Sequence, residues 1–180
     1  PKALLDKAAA HGLRVMVGIP WPQHISFLDS KRTRSEIRET IARGVADCSS
    51  HPAVFAYLVG NEIPPEIVRW YGAGKIRKFL ATLVDTAKTA DPGTLVSYAN
   101  FPSTEYLETD FLDFAAFNVY LHREEDFRRY LSHLHNLAGD RPLVLTEIGI
   151  DSIGQGRQFQ AEALSWQLHA SFESGVAGTV

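Results

Sequence analysis

The sequence has a single cysteine among its 180 residues. Because Cys48 has no second cysteine to pair with, an intrachain disulfide is excluded, and with it the class of small secreted proteins that disulfides hold together. No apolar run approaches the roughly 18 residues needed to cross a bilayer. The first residues also lack the charged and apolar regions of a signal peptide. The sequence therefore indicates neither a membrane contact nor a cellular compartment.

An excess of positive charge is also missing, because 18 Lys and Arg against 21 Asp and Glu give a net charge of -3. Nucleic acids and anionic membranes attract basic surfaces, so we expect neither as a partner. The chain is 45% hydrophobic and 22% charged, which is typical of a protein with a packed core and excludes a disordered chain. We expect a single domain over residues 1–180 whose partner is a small neutral or weakly charged molecule.

Four segments repeat apolar residues at the three-and-four spacing of amphipathic helices. Their stripes are Ile37, Ile41, Val45 and Cys48; Ile76, Phe79, Leu80, Leu83 and Val84; Phe127, Tyr130, Leu131 and Leu134; and Phe159, Ala163, Trp166 and Ala170. We expect Thr33 and Glu36 to form a capping box at the start of the first helix. We also expect the stripe aromatics Phe79, Phe127 and Phe159 to lie in the core.

Short apolar runs lie between these helices, at residues 13–19, 54–59, 95–99, 114–119, 143–145 and 176–180. Runs that are apolar on both faces are typical of parallel strands covered by helices. The alternation predicts an α/β fold with a parallel sheet, either doubly wound or closed into a barrel. A strand and its helix take about 30 residues and an eight-unit barrel about 250, so a barrel would be incomplete here. The chain opens at Pro1 in a helical pattern and closes in a strand pattern, and we expect it to be a piece of a longer protein.

Polar side chains stand at the ends of three of these runs. Asn61 and Glu62 follow the second run, Asn118 and Tyr120 close the fourth, and Glu147 follows the fifth. In parallel α/β folds the carboxyl ends of the strands form the ligand-binding face. Either glutamate alone fits equally well as a solvated residue at the start of a loop.

Two carboxylates from different strands on one face match the needs of glycoside hydrolysis. One carboxylic acid protonates the leaving oxygen, and one carboxylate meets the anomeric carbon of the sugar. Asn61 can bond a sugar hydroxyl in both directions, and the Tyr120 phenol can donate to a carboxylate. For a retaining mechanism we expect the carboxyl groups of Glu62 and Glu147 to lie about 5 to 5.5 Å apart.

These motifs resemble the catalytic barrel of glycoside hydrolase family 2, which holds β-galactosidases, β-glucuronidases and β-mannosidases. The stretches that carry the resemblance are 51–62 with Gly60-Asn61-Glu62, 113–120 with Asn118-Val119-Tyr120, and 142–151 with Thr146-Glu147-Ile148-Gly149. The resemblance runs along the whole chain and corresponds to the third to eighth strands of a TIM barrel. It implies that Glu62 is the general acid and base and that Glu147 is the nucleophile, oriented by Tyr120, in a double displacement with net retention.

Further site residues follow from the same resemblance and from loop position. The resemblance implies that Asn61 contacts the sugar 2-hydroxyl, and Asn118 belongs to the same substrate-binding group. No metal or organic cofactor is implied. The loop at residues 20–24 follows the first strand, so Trp21 can stack on a sugar ring and His24 can bond a hydroxyl. A packed position at the rim is an equal alternative for Trp21.

The sequence also departs from the family pattern. The arginine of the second strand and the aromatic platform after the eighth fall outside this sequence, and Tyr57-Leu58 stands where many members have Trp-Ser. We therefore expect weak or absent activity from this chain alone. We also expect its exposed sheet edges, near residues 13–19 and 176–180, to allow self-association. Two alternatives stay open, a carbohydrate-binding domain that has lost catalysis and a transglycosylase.

Overall fold

A computed structural model describes residues 2–180, and the chain divides into two compact units. Unit 1 runs to Tyr98 and includes Tyr106–Asp113, and unit 2 comprises Ala99–Glu105 and Phe114–Val180. The expectation that the chain opens in a helix at Pro1 falls outside the described residues. Among the described residues, no helix combines the length and the apolar character that a membrane span requires.

Unit 1 alternates strands and helices, as the apolar pattern predicts. Its elements are α1 (Lys2–Ala10), β1 (Val15–Gly18), α2 (Lys31–Ala46), β2 (Val54–Asn61), α3 (Pro65–Tyr71), α4 (Ala73–Ala90) and the first four residues of β3 (Leu95–Asn100). The core of unit 1 lies between its strands and the stripes of α2 and α4, where Ile41, Val45, Leu80 and Leu83 are fully buried. The short helix α3 begins four residues after Asn61 and is not one of the four helical stripes in the sequence prediction.

Unit 2 continues the same alternation. Its elements are the end of β3, a 3-10 turn (Pro102–Thr104), β4 (Ala115–Val119), α5 (Glu124–Ala138), β5 (Leu143–Ile148), α6 (Ser152–Gln155), α7 (Arg157–Glu173) and β6 (Gly178–Thr179). Its core joins β4 and β5 to α5 and α7, with Phe127, Leu131, Leu134 and Leu145 fully buried. The apolar stripes of α5 and most of α7 therefore face the strands.

The strands pair in parallel, and hydrogen-bonded neighbours follow the chain order from β1 to β6. In unit 1, Val15 pairs with Val54 and Gly18 with Leu58. In unit 2, Ala115 pairs with Leu143 and Leu145 with Thr179. The predicted α/β fold with parallel strands is confirmed. Strand ends differ from the predicted apolar runs by a few residues. The strand β2, for example, extends beyond its apolar run to the polar residue Asn61.

Two local predictions are wrong. The helix α2 begins at Lys31 and is capped by Ser30, whose hydroxyl accepts the N–H of Thr33 at 3.3 Å. Thr33 is thus inside the first turn, and no capping box forms there. Phe159 remains 39% exposed instead of joining the core. Helical side chains lean toward the helix N-terminus, so an aromatic in the first turn of α7 extends past the helix end.

Candidate active site

Five residues of the predicted site lie at the carboxyl ends of three strands. Asn61 is the last residue of β2 and Glu62 follows it, while Glu147 is the penultimate residue of β5. Asn118 is the penultimate residue of β4, and Tyr120 comes directly after that strand. This is the end of parallel strands at which α/β proteins bind ligands.

In unit 2, Tyr120 and Glu147 are joined by a hydrogen bond. The Tyr120 hydroxyl donates to Oε2 of Glu147, and the Tyr120 ring is about half exposed. Glu147 itself is half-buried. A phenol that donates to one carboxylate oxygen fixes the orientation of the group and leaves the other oxygen for a different partner.

A register shift between β4 and β5 lies beside this pair. Phe117 pairs with Leu145, but the next residue, Asn118, pairs with Glu147, so that Thr146 is an extra residue on β5. The buried Thr146 hydroxyl donates to Oδ1 of Asn118 at 2.6 Å. Bulges of this kind redirect side chains at strand ends and are frequent next to active sites. The shift therefore determines where the Glu147 carboxylate lies relative to Asn118.

In unit 1, Glu62 adopts a left-handed backbone conformation with φ of 50°. A non-glycine residue in this region costs about 1 to 3 kcal/mol and persists only where its surroundings hold it. The backbone N–H groups on both sides of Glu62 are bound by side chains. Asn61 donates to Oε1 of Gln23 at 2.7 Å, and Ile63 donates to the hydroxyl of Tyr98 at 2.8 Å.

Gln23 and Tyr98 are residues that the sequence prediction missed. Gln23 stands in the loop at residues 20–24 that the prediction singled out, but its neighbours Trp21 and His24 were chosen. Tyr98 lies inside the apolar run of β3 and has the pattern of a core residue, with 1% exposure. Their bonds to the Glu62 segment join residues at least 35 positions apart, so only tertiary structure reveals them.

The other loop residues differ in accessibility. Trp21 is 7% exposed, and its indole N–H donates to the carbonyl of Val59 at 2.7 Å. Its ring packs edge-on against Phe27 and Phe79, with centroid distances of 5.0 and 6.0 Å. These contacts favour the packing alternative for Trp21. His24 and Asn61 are both exposed.

Within residues 2–180, no three His, Cys, Asp or Glu side chains are grouped so that they could hold a metal ion. The sequence motifs and the described strand ends instead offer carboxylates, amides and a phenol. Carboxyl groups can exchange protons, and amides and phenols can bond hydroxyl groups. Within unit 2, the Tyr120 hydroxyl can orient the Glu147 carboxylate through their hydrogen bond.

Residues 5–175 match a family model described as "Glycosyl hydrolases family 2, TIM barrel domain". Among solved structures, a β-glucuronidase from Bacteroides uniformis superposes with a TM-score of 0.83 at 17% identity, covering 100% of this chain and 24% of that one. A Ruminococcus gnavus β-glucuronidase in complex with D-glucuronic acid gives 0.79 at 16% identity, covering 98% of this chain and 33% of that one. No curated protein matches the sequence significantly.

A third solved structure, a Bifidobacterium dentium β-glucuronidase complexed with coumarin-3-O-glucuronide, gives a TM-score of 0.77 at 15% identity. It covers 98% of this chain and 32% of that one. At such identities the likeness establishes the fold, here a part of a TIM barrel. The chain spans 24% to 33% of the length of these three proteins.

Proposed function

The chain belongs to family 2 of the glycosyl hydrolases, because it matches the TIM barrel domain of that family, and we propose on this basis that it carries the catalytic carboxylates of a retaining β-glycosidase. Glu147 is the nucleophile and Glu62 is the general acid and base. The substrate class is a β-linked glycoside. The proposal concerns the natural protein that contains this sequence, because the chain spans only part of its structural relatives.

The reaction proceeds in two displacements. In the first, a Glu147 oxygen bonds to the anomeric carbon while the glycosidic bond breaks, and Glu62 transfers its proton to the leaving oxygen. In the second, Glu62 takes a proton from water, the water oxygen bonds to the anomeric carbon, and the Glu147 ester bond breaks. The sugar leaves with its original anomeric configuration because two inversions have occurred.

The observation that carries the proposal is the hydrogen bond from the Tyr120 hydroxyl to Glu147 at the end of β5. A nucleophile must present one carboxylate oxygen to the anomeric carbon in a fixed orientation, and a donor on the other oxygen provides that orientation. A solvated glutamate at a loop start needs no such partner.

The exposed polar side chains complete the proposed site. Asn61 precedes the acid and is exposed, so its amide can bond a sugar hydroxyl such as the 2-hydroxyl. His24 is exposed in the loop after β1 and offers a second hydroxyl partner. Asn118 is buried, and its amide oxygen accepts from the Thr146 hydroxyl. Trp21 is left out of the substrate-binding group because it is packed.

The test is turnover of aryl β-glycosides by the natural protein that carries this sequence, with glucuronides, galactosides and mannosides in the panel. We expect Glu147→Ala and Glu62→Ala each to reduce kcat/KM on a substrate with a poor leaving group by about a thousandfold. The matched control is Glu66→Ala, an exposed glutamate four residues beyond Glu62, which should keep its activity. Full turnover by Glu147→Ala would overturn the proposal.

Product analysis separates the alternatives. Retention predicts that the β-anomer is the first product seen by NMR, and mass spectrometry of enzyme trapped with a 2-fluoro glycoside should place the sugar on the peptide containing Glu147. An inverted first product contradicts the assigned roles. Sugar transfer to an added alcohol in preference to water would identify a transglycosylase. Sugar binding without turnover, unchanged in Glu147→Ala, would identify a binding domain.

A further inference from the structure

Glu62 lies between two backbone N–H groups whose acceptors come from outside its own strand. Gln23, in the loop after β1, accepts from Asn61 at 2.7 Å, and Tyr98, in β3, accepts from Ile63 at 2.8 Å. The residue between them has a left-handed backbone with φ of 50°. Two side chains from separate elements thus hold both ends of a three-residue segment whose centre is conformationally unfavourable.

Both acceptors are held in place by packing. Gln23 is 9% exposed and Tyr98 is 1% exposed. They approach the backbone at Gly60 so closely that an added Cβ would lie 2.9 Å from the Gln23 Oε1 and 3.2 Å from the Tyr98 ring. The loop that contains Gln23 is also hydrogen-bonded to β2, because the indole N–H of Trp21 donates to the carbonyl of Val59. Tyr98 belongs to the core of unit 1, so it cannot move away from the segment without disturbing that core.

We propose that Gln23 and Tyr98 are positioning residues that fix the Glu62 carboxyl for proton transfer through these two backbone hydrogen bonds. The inference rests on the proposed function of Glu62 as general acid. A general acid must lie within hydrogen-bond distance of the leaving oxygen, and a displacement of about 1 Å can cost on the order of a hundredfold in rate. Because an unfavourable backbone relaxes when it is released, loss of either acceptor displaces the side chain that the segment carries.

The test uses two variants that remove an acceptor and keep the side-chain size, Tyr98→Phe and Gln23→Met, in the natural protein that contains this sequence. Leaving-group dependence of kcat/KM is the readout, because a poor leaving group needs the acid and a good one does not. We expect each variant to lose about tenfold to a hundredfold on a phenyl β-glycoside and less than about threefold on a dinitrophenyl β-glycoside. Gln23→Glu retains an acceptor oxygen and should restore most of the loss.

A control variant separates positioning from general loosening of the fold. Tyr57 is a fully buried tyrosine of β2, five residues before Glu62, and its hydroxyl donates to Asp91 at 3.1 Å. Tyr57→Phe also removes a buried phenol hydroxyl. It should lower thermal stability without changing the ratio of the kcat/KM values for the two substrates. If Tyr98→Phe and Gln23→Met have the same substrate ratio as Tyr57→Phe, the inference is overturned.

Glu62→Ala, measured in parallel, distinguishes failure of this inference from failure of the proposed function. Loss of phenyl-glycoside turnover in Glu62→Ala, with normal ratios in both acceptor variants, would overturn only the positioning role. Normal turnover in Glu62→Ala would overturn the proposed function itself, and the positioning role with it. Tyr98→Phe keeps the test decisive if Gln23→Met does not fold, because each acceptor is removed independently.

Discussion

Tyr120 and Glu147 illustrate how a single inserted residue determines side-chain placement. Asn118 pairs with Glu147 only because Thr146 is an extra residue on β5, and Thr146 in turn donates to the Asn118 amide oxygen. Successive side chains alternate between the faces of a strand. The insertion therefore places Glu147, instead of Thr146, opposite Asn118. We infer that the orientation of Glu147 depends on this irregularity as well as on the Tyr120 hydroxyl.

A prediction at the residue scale concerns the buried phenol of Tyr57. Burial, and then the hydrogen bond to Asp91 and its negative charge, raise the pKa of Tyr57 well above its ordinary value of about 10. In the unfolded chain the phenol ionises near pH 10, while in the folded chain it stays neutral. The stability that Tyr57 contributes is therefore complete below about pH 10 and is lost as pH rises from there toward the folded pKa.

Tyr57→Phe should lower the free energy of unfolding by about 1 kcal/mol near neutral pH, because it removes a buried hydrogen bond. Above about pH 10 the difference between the variant and the natural sequence should shrink, since the variant has no phenol to ionise on unfolding. Urea denaturation at a series of pH values measures both effects. A difference that stays constant up to about pH 11 would contradict the raised pKa.

At the scale of the element, periodicity predicted the long helices and missed the short ones. The helices α2, α4, α5 and α7 each have 15 or more residues, enough for several repeats of a buried stripe. By contrast, α3 has 7 residues and α6 has 4, which is too few to establish a period. The prediction of the N-terminus of α2 was wrong because Ser30 and Thr33 both fit the capping pattern, and sequence alone does not decide between them.

The start of α2 provides a prediction at this scale. The Ser30 hydroxyl accepts the N–H of Thr33, which otherwise has no partner within the helix. Ser30→Ala should lower the stability by about 1 kcal/mol and the Tm by about 2 to 4 °C in a chain of this size. Ser30→Asp should preserve the cap. Calorimetry of the variants measures the change.

Thr33→Ala is the matched control, because Thr33 is the cap that the sequence pattern predicts and the structure places inside the helix. Alanine has a higher helix propensity than threonine, so this variant should be neutral or slightly stabilising. A larger loss in Thr33→Ala than in Ser30→Ala would show that the helix begins where the sequence pattern predicted.

At the scale of the whole molecule, fold class and family followed from strand and helix alternation together with three motifs at strand ends. The proposed roles of Glu62, Glu147 and Tyr120 come from motif residues that lie next to their strands in the sequence. Gln23 and Tyr98 could not, because their partners are distant in the chain and nothing in their local pattern differs from ordinary loop and core residues. The supporting contacts of the proposed site thus depend on tertiary structure more than the motif residues do.

The last prediction concerns the strand edges of the chain itself. Among the described strands, β1 pairs only with β2, and β6 only with β5. Unpaired backbone groups along such strands are templates for association with another chain. We propose that the isolated chain self-associates through these edges, which sedimentation velocity over a range of concentrations would detect.

Gly18→Pro tests the edge of β1. Ile19 donates its N–H to Leu58 of β2, and N–H groups alternate in direction along a strand, so the Gly18 N–H points away from β2. An added Cβ at Gly18 meets nothing within 4 Å. Proline there should weaken association while sparing the pairing with β2. Phe172→Glu, on the exposed side of α7, is the comparison, because Phe172 is 60% exposed and offers an apolar route to association. Association that persists in Gly18→Pro and disappears in Phe172→Glu would refute the edge mechanism in favour of the helix surface.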